Sequence, residues 1–350
     1  MKKEITICLA GLVLAVSCIL SGCSAKNTAT PASFDASDYV RISEMTEAGD
    51  NPEAFAASYE PIKNFDSQLS VPTYIAQYDD TWFIVDCYHN RIIYSDTLGE
   101  PLTQWNIMTS DVTRPHTIAS DGKVYIVDDT ENNRIMVFEK VDGKFINTQI
   151  IRDVGSRPHY TVYDEDTDTF YVWSSTTGEL FCLRHTEDSN RMYVTDIRKI
   201  DILDGVYVRS FSIIDGDIYF VSGVSDAGLP AKIYQCSLDD LQIKKEIDVP
   251  DALAGMVQIT KIQKYYYITT STDKSGDQNY ATIIRTRSLE NLISGKYEDI
   301  YSTYFVGGGT PYYISNAGDT YFLTEHRLSG HSIWSFEVNR NKIVNVKSLY

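Results

Sequence analysis

The sequence predicts an all-β protein, a six-bladed β-propeller of four-stranded antiparallel blades. A unit of strand, tight turn, strand, polar loop and strand occupies residues 114–138 and returns along the chain. An aromatic residue in the second strand of each unit recurs at steps of 42, 46, 48, 48 and 54 residues. A four-stranded blade needs about 40–45 residues, so the longer steps indicate longer loops. The aromatic residues are Phe83, Tyr125, Tyr171, Tyr219, Tyr267 and Tyr321.

The clearest unit reads RPHTIASDGKVYIVDDTENNRIMVF, residues 114–138. Its Asp121-Gly122 pair favours a tight hairpin, because both residues tolerate positive φ. Val124–Val127 is an unbroken β-branched and aromatic run, which suits a strand covered on both faces. The polar run Asp128–Asn133 ends that strand, and Arg134–Phe138 resumes strand character.

The stretch DGKVYIVDDTENNRIMVF resembles an NHL repeat, in which a strand of the type V-Y-V-A-D precedes N-x-R-I and an aromatic residue. WFIVDCYHNRIIY, residues 82–94, shares this pattern, whereas the later blades share only the strands. In that family each repeat is one propeller blade, so the resemblance implies the same fold. Asp86 with Arg91, and Asp128 with Arg134, belong to the pattern. We interpret them as structural pairs in which the aspartate fixes the loop and the arginine bridges to it.

Residues 1–22 are predicted to be a lipoprotein signal peptide. Lys2 and Lys3 precede the apolar run Ile5–Leu20, which is too short for a comfortable membrane span. The run ends in Leu20-Ser21-Gly22-Cys23, which resembles a bacterial lipobox, whose cysteine carries acyl chains such as palmitate. Each buried CH₂ contributes ~0.8 kcal/mol, so Cys23 would anchor the protein on the extracytoplasmic face of a bacterial cell membrane. The alternative is an ordinary cleaved signal peptide with an incidental cysteine.

The segment before the repeats divides into two parts. Residues 23–37 are rich in Ser, Thr, Ala, Asn and Pro, which predicts a flexible tether. Residues 38–70 are predicted to be an N-terminal extension that packs on the propeller, residues 71–350. Within it, Pro52–Tyr59 could form a short helix capped by Asn51, and Tyr39–Ile42 could form a strand that helps to close the ring. The sequence does not decide the role of this segment.

The charge and the cysteines exclude several classes of partner. The chain carries a net charge of −17, and removal of residues 1–22, with a net charge of +1, leaves −18. This charge argues against nucleic acid and against a second, electrostatic attachment to anionic lipid, and we expect a soluble monomer beyond the anchor. Cys87, Cys182 and Cys236 remain after processing, an odd number that predicts buried thiols and no disulfide framework. No spacing typical of metal ligands occurs, and we expect no cofactor.

One mouth of the central channel is predicted to be polar, because the innermost strand of each blade begins there. The six residues at these starts are Tyr74, His116, His159, Ser210, Gln258 and Tyr312. The tripeptide Arg-Pro-His begins at Arg114 and again, 43 residues later, at Arg157, while Arg209 lies nearby but one position out of register with them. Guanidinium groups bind carboxylate and phosphate in a bidentate way. We therefore predict a site for a small anion formed by Arg114, His116, Arg157, His159, Arg209 and Tyr312.

Two alternatives remain open for this mouth. The arginines could instead pair with blade carboxylates, and the imidazoles could be satisfied by backbone groups. The loops between second and third strands open on the same mouth, and they either build a site or merely cap the channel. Three of these loops are long: Gly223–Ala231, Ser271–Tyr280 and Glu325–His331.

Two functions fit these observations. The first is a membrane-anchored module that binds a small anionic molecule or a protein partner at the channel mouth. The second is a metal-dependent lyase or hydrolase resembling peptidylglycine amidating lyases or gluconolactonases. The gluconolactonase group uses carboxylates at the mouth, and none is present at the six positions. The lyases hold zinc through histidines, and here a third ligand would have to be His326 or His331, since two ligands do not make a stable zinc site. We expect a binding protein rather than an enzyme.

Overall fold

The computed structural model describes residues 43–225 and 228–350, and these form the six-bladed β-propeller predicted from the repeat. The innermost strand of each blade contacts that of the next blade, and the innermost strand of the sixth contacts that of the first, so the ring is closed. The predicted signal peptide, the tether and the candidate strand Tyr39–Ile42 lie outside the described residues.

The blades are antiparallel sheets whose strands follow chain order from the inside outwards. Blade one contains β3 (Pro72–Tyr78), β4 (Thr81–Asp86), β5 (Arg91–Ser95) and β6 (Asn106–Thr109). Blade two contains β7 (Ile118–Ser120), β8 (Val124–Asp129), β9 (Arg134–Val141) and β10 (Lys144–Ile151). Blade three contains β11 (Pro158–Asp164), β12 (Thr169–Ser174), β13 (Glu179–Thr186) and β14 (Ser189–Lys199).

The remaining blades have the same order. Blade four contains β15 (Val208–Ile214), β16 (Asp217–Ser222), β17 (Lys232–Ser237) and β18 (Ile243–Asp248). Blade five contains β19 (Met256–Ile262), β20 (Tyr265–Thr270), β21 (Thr282–Thr286) and β22 (Glu298–Asp299), and a short helix, α2 (Tyr301–Tyr304), follows it. Blade six contains β23 (Thr310–Ala317), β24 (Thr320–His326), β25 (Ile333–Asn339) and β26 (Lys342–Ser348).

The segment before the ring covers the outer edges of two blades. β1 (Ser43–Met45) pairs with β10 of blade two, and β2 (Ile62–Lys63) pairs with β6 of blade one. Between them lies α1 (Pro52–Ser58), where Asn51 Oδ1 accepts the backbone N–H of Ala54 at 3.1 Å and so caps the helix. Added strands protect sheet edges that would otherwise expose unpaired backbone groups. Within residues 43–225 and 228–350, no helix has the length and apolar character needed to cross a bilayer.

Each sheet buries apolar side chains on both faces. Phe83 and Val85 of β4 pack against blade two, whereas Ile84 packs in the cluster shared with blade six, and all three side chains are fully buried. This alternation explains why the second strands read as continuous apolar runs. The three cysteines of the described chain are free and buried, as the sequence predicted: Cys87, Cys182 and Cys236.

The aromatic residues used to count the blades are not all equivalent. In blade one, Phe83 faces the following blade. The residue that does so in blade two is Ile126, whereas Tyr125 packs back onto blade one. In blade six, Phe322 faces blade one and Tyr321 packs back against blade five. The alignment was therefore wrong by one residue in these two blades, because adjacent strand residues point to opposite faces while both are apolar or aromatic. The number of blades is unaffected.

Ring closure relies on packing between the first and sixth blades, since blade six is built entirely from residues 310–348. The rings of Trp82 and Phe322 meet edge to face, with centroids 5.2 Å apart. Two hydroxyl groups of blade six also donate to backbone carbonyls of blade one: Ser315 Oγ at 2.5 Å and Thr324 Oγ1 at 2.7 Å.

Candidate functional site

Strand pairing fixes which residue of each blade stands at the predicted mouth. Pro72 lies opposite Asp86, Pro158 opposite Ser174 and Val208 opposite Ser222, which makes the residue after each of them equivalent. The six equivalent positions are Thr73, His116, His159, Arg209, Val257 and Tyr312.

Three of the six predicted mouth positions were wrong by one residue. Tyr74 and Gln258 border the opposite opening of the channel. Ser210 is fully buried and donates its hydroxyl to Val257 O at 2.6 Å. A shift of one residue along a strand reverses the direction of the side chain, so a small alignment error moves a residue to the other surface. The same correction places Arg209 at the position that the histidines occupy in blades two and three.

Both Arg-Pro-His tripeptides begin with an arginine in the left-handed conformation. Arg114 and Arg157 have φ angles of 53° and 60°, in the left-handed region that is uncommon for residues with a β carbon. Each is held by the preceding blade: the N–H of Arg114 donates to Asn90 Oδ1 at 3.0 Å, and that of Arg157 donates to Asn133 Oδ1 at 2.8 Å. These asparagines belong to the N-R-I part of the repeat, which therefore also fixes the arginine of the next blade.

A cavity of about 230 Å³ opens at this mouth. Five of the six predicted site residues border it: Arg114, His116, Arg157, Arg209 and Tyr312. The sixth, His159, is fully buried beneath them. The cavity is completed by residues outside the predicted anion site, which lie in loops or at the end of β24: Tyr88, Ser271, Thr272, Gln278 and His326. The loops of blades one, five and six therefore enclose the cavity.

Two of the three arginines have no carboxylate partner among the residues that the structure describes. The Arg114 guanidinium lies 4.2 Å from the ring centroid of Tyr88, and that of Arg209 lies 4.9 Å from the ring centroid of Tyr207. Arg209 Nη1 also donates to a backbone carbonyl at 3.3 Å. Stacking on an aromatic face leaves the edge of a guanidinium free to donate to a ligand.

Arg157 is partly neutralised. Its Nη2 lies 3.1 Å from Glu131 Oε1, and both side chains are about a third exposed. Its Nε is buried and has no hydrogen-bond partner. The alternative that the arginines pair with blade carboxylates therefore applies to Arg157 alone.

The two histidines stack on one another, with ring centroids 3.6 Å apart and an interplanar angle of 25°. His116 Nδ1 lies 3.0 Å from Thr130 Oγ1, whose hydroxyl donates to Pro158 O at 2.8 Å. Because that hydroxyl hydrogen is already used, Nδ1 must donate and Nε2 carries the lone pair. His159 Nδ1 lies 2.9 Å from Arg209 O, which can only accept, so His159 has the same tautomer.

Both imidazoles are neutral at physiological pH. Burial, and then the charge of Arg157, lowers the pKa of His116 to about 3. Burial, and then His116 and Arg209, lowers the pKa of His159 well below its usual value. Tyr207 Oη lies 2.9 Å from His159 Nε2 and donates to it. The positive charge of the mouth therefore comes from the arginines.

The histidine pair does not fit a zinc site. An imidazole binds a metal about 2 Å away along the lone pair in its ring plane. Because the rings are nearly parallel, these lone pairs run side by side and do not meet at one ion. His326 lies at the cavity, with its ring 6.5 Å from that of Tyr312, but His331 stacks on Trp334 with centroids 5.1 Å apart. In residues 43–225 and 228–350, no three His, Cys, Asp or Glu side chains are grouped to hold a metal.

The aspartates of the repeat, Asp86 and Asp128, have different structural roles. Arg91 donates to Asp86 Oδ2 from Nε at 2.9 Å and from Nη2 at 2.7 Å, which is the predicted structural pair. In blade two, however, Arg134 Nε donates to Asp129 at 2.5 Å, so the predicted pair with Asp128 is wrong. The one-residue shift found at Tyr125 also explains this difference.

Asp128 instead holds the start of the innermost strand of blade two. This fully buried carboxylate accepts the backbone N–H groups of His116 at 2.6 Å and Thr117 at 2.7 Å. Burial raises the pKa of Asp128 to about 7. The carboxylate therefore positions His116 through its backbone.

No protein-family model matches the sequence, and no curated protein does so either. Solved structures are similar to it in fold. Hydrazine synthase from Kuenenia stuttgartiensis has a TM-score of 0.55 and 15% identity, over 78% of this chain and 79% of that chain. A "putative 6-phosphogluconolactonase" from Bacteroides fragilis has a TM-score of 0.55 and 13% identity, over 80% and 84% of the two chains. A second "putative 6-phosphogluconolactonase", from Bacteroides uniformis, has a TM-score of 0.54 and 14% identity, over 79% of this chain and 83% of that chain. At these identities the similarity extends to the fold alone.

Proposed function

We propose that this protein is a lipid-anchored binding module on the extracytoplasmic face of a bacterial cell membrane, and that it binds a small anion at the arginine-lined mouth. The observation that carries the proposal is the convergence of three guanidinium groups on one cavity in a chain of net charge −17. The membrane anchor rests on the lipobox-like sequence ending at Cys23, and the NHL-type classification of the blades rests on residues 82–94 and 114–138.

The geometry favours an anion over the structural alternative. Arg114 and Arg209 keep their donors without a carboxylate in the described chain, although acidic residues outnumber basic ones by 48 to 31. Like charges that are brought together without counter-ions raise the energy of the folded state. A bound carboxylate or phosphate would relieve that repulsion and accept bidentate hydrogen bonds.

A small molecule fits this site better than a protein partner. The cavity measures about 230 Å³ and is bordered by loops of three blades, so it has the size of a small-molecule site. A metal-dependent lyase or hydrolase is the less favoured function, because the stacked histidines do not converge on one ion.

Binding is tested on the purified full-length protein by thermal shift and calorimetry with carboxylates, uronic acids, phosphates and neutral sugars. We expect an anion to raise the midpoint, and the double variant Arg114→Ala, Arg157→Ala to lose at least about tenfold in affinity, since charge-assisted hydrogen bonds are the strong ones. Arg152→Ala is the matched control, since this exposed arginine pairs with Glu44 away from the mouth. The proposal fails if no anion shifts the midpoint, or if the double variant binds like the control.

The anchor is tested in a bacterial host by labelled fatty-acid incorporation and by fractionation. Cys23→Ser should abolish the label and move the protein out of the membrane fraction, whereas Cys18→Ser should do neither. Membrane retention by Cys23→Ser would contradict the lipoprotein assignment.

A further inference from the structure

Three hydroxyl groups at the cavity, those of Thr73, Ser271 and Tyr207, can accept hydrogen bonds but have no hydrogen left to donate. Thr73 Oγ1 donates to the backbone carbonyl of the neighbouring blade at 2.9 Å. Ser271 Oγ donates to a backbone carbonyl at 3.0 Å, and Tyr207 Oη donates to His159 Nε2 at 2.9 Å. A hydroxyl has one hydrogen and two lone pairs, so each of these oxygens retains only acceptor capacity.

His116 adds a further acceptor. Its side chain borders the cavity and the residue is only 7% exposed. Because Nδ1 donates to Thr130, the lone pair lies on Nε2, and its one partner in the described chain is the Cys87 thiol, with sulfur and nitrogen 3.8 Å apart. A thiol is a weak donor, so this buried nitrogen is poorly satisfied.

The rim of the cavity, by contrast, carries hydrogen-bond donors and positive charge. Guanidinium groups donate through five N–H bonds and accept none, and three of them border the same cavity. A complementary ligand must therefore accept hydrogen bonds at one end and donate them at the other. An ammonium group would supply donors, but the three guanidinium charges would repel it, whereas hydroxyl groups donate without charge.

The size of the cavity limits the ligand further. About 230 Å³ corresponds to the volume of about eight water molecules at ~30 Å³ each, which is enough to enclose one monosaccharide unit. We infer that the mouth binds a hydroxylated carboxylate of monosaccharide size, with its acid group on the arginines and its hydroxyl groups on Thr73, Tyr207, Ser271 and His116. This inference rests on the proposed function, since it specifies the anion.

Calorimetric titration of the full-length protein with three six-membered ring compounds tests this inference. Glucuronate has both the acid and the hydroxyl groups, cyclohexanecarboxylate has only the acid, and glucose has only the hydroxyl groups. We expect glucuronate to bind at least about tenfold more tightly than cyclohexanecarboxylate, because each lost hydrogen bond leaves a buried acceptor unpaired and costs about two- to tenfold. Glucose should bind at least about a hundredfold more weakly than glucuronate.

Two substitutions locate the hydroxyl contacts. Ser271→Ala and His116→Phe should each weaken glucuronate about two- to tenfold and leave cyclohexanecarboxylate unchanged. The control is Ser275→Ala in the same loop, because the Ser275 hydroxyl is exposed and bonds only to Asp273. If His116→Phe fails to fold, Ser271→Ala still decides the question, since its hydroxyl is small and lies at the edge of a loop.

The possible outcomes distinguish a failure of this inference from a failure of the proposed anion-binding function. Equal affinities for glucuronate and cyclohexanecarboxylate, or a Ser271→Ala variant that binds glucuronate as the wild type does, would overturn the inference and leave anion binding intact. Tighter binding of glutamate than of glucuronate would overturn the argument against ammonium groups. If none of the carboxylates binds, this inference is wrong, and if the phosphates also fail to bind, the proposed anion site itself is wrong.

Discussion

Asn133→Gly tests whether one blade positions the ligand-binding arginine of the next. Asn133 has a φ of 52°, which glycine adopts without strain. The substitution keeps the backbone hydrogen bonds of residue 133 to Thr130 O and from the N–H of Val154, at 3.4 and 3.0 Å. It removes one side-chain acceptor, the oxygen that holds the N–H of Arg157 at 2.8 Å.

The magnitudes follow from that single contact. A neutral hydrogen bond contributes about 1 kcal/mol, and the freed N–H of Arg157 is exposed and regains water, so the melting temperature should fall by no more than about 2 °C. The affinity for the anion should change more clearly than the melting temperature. The left-handed backbone of Arg157 is disfavoured by about 1–2 kcal/mol, and without the asparagine it relaxes and moves the guanidinium away from the cavity. A loss of about 1 kcal/mol weakens anion binding about fivefold.

Calorimetric titration with glucuronate and a thermal melt measure the two quantities on the same sample. Asn345→Gly on the outer strand of blade six is the control, because Asn345 is also left-handed, with a φ of 55°, but its side chain bonds only to Glu337 of β25. The reasoning is refuted if Asn133→Gly binds like the wild type while Arg157→Ala does not. It is equally refuted if Asn345→Gly weakens binding to the same extent.

Three further predictions concern stability. Between pH 6.5 and about 4 the free energy of unfolding should fall as the pH drops, by up to about 1.4 kcal/mol per pH unit for His116. The reason is that His116 gains a proton in the unfolded chain but not in the folded state, where its pKa is about 3. Denaturation of the wild type and of His116→Phe at several pH values measures this difference. Arg91→Met removes both guanidinium hydrogen bonds to the buried Asp86, which keeps only His89 and the N–H of Ser70 as partners, and should cost about 3 kcal/mol in urea denaturation. Arg152→Met at the surface should cost less than about 1 kcal/mol. Trp82→Ala should cost about 3 kcal/mol and make amide exchange fastest in blades one and six, and uniform exchange across the ring would contradict closure by packing.

The blades were predictable because the information that makes them is local. A strand covered on both faces needs an unbroken apolar run, and a hairpin needs residues that tolerate positive φ. Asp121-Gly122 illustrates this, since Gly122 has a φ of 90° and the strands on either side of it pair. Asn51 as a cap also made a short helix at Pro52 one of the possibilities, and the structure contains it.

Register was predictable only in part. Tyr125 and Ile126 are both large and apolar, so either suits a buried strand, and the neighbouring blades decide which way each one points. The error passed from there to Tyr74 and Ser210, which do not border the mouth cavity. The same error led to the predicted pair of Asp128 with Arg134. In the structure Arg134 pairs with Asp129, and Asp128 accepts the backbone N–H of His116.

The sequence by itself determined the repeat, the number of blades and the presence of two Arg-Pro-His tripeptides in neighbouring units, because each depends on residues close together in the chain. Only the tertiary structure decided that His116 and His159 stack, that Tyr207 and Ser271 face the same cavity, and which hydroxyl hydrogens are already used. The histidine stack and the Tyr207–His159 hydrogen bond join residues from different blades, which the packing of the ring brings together.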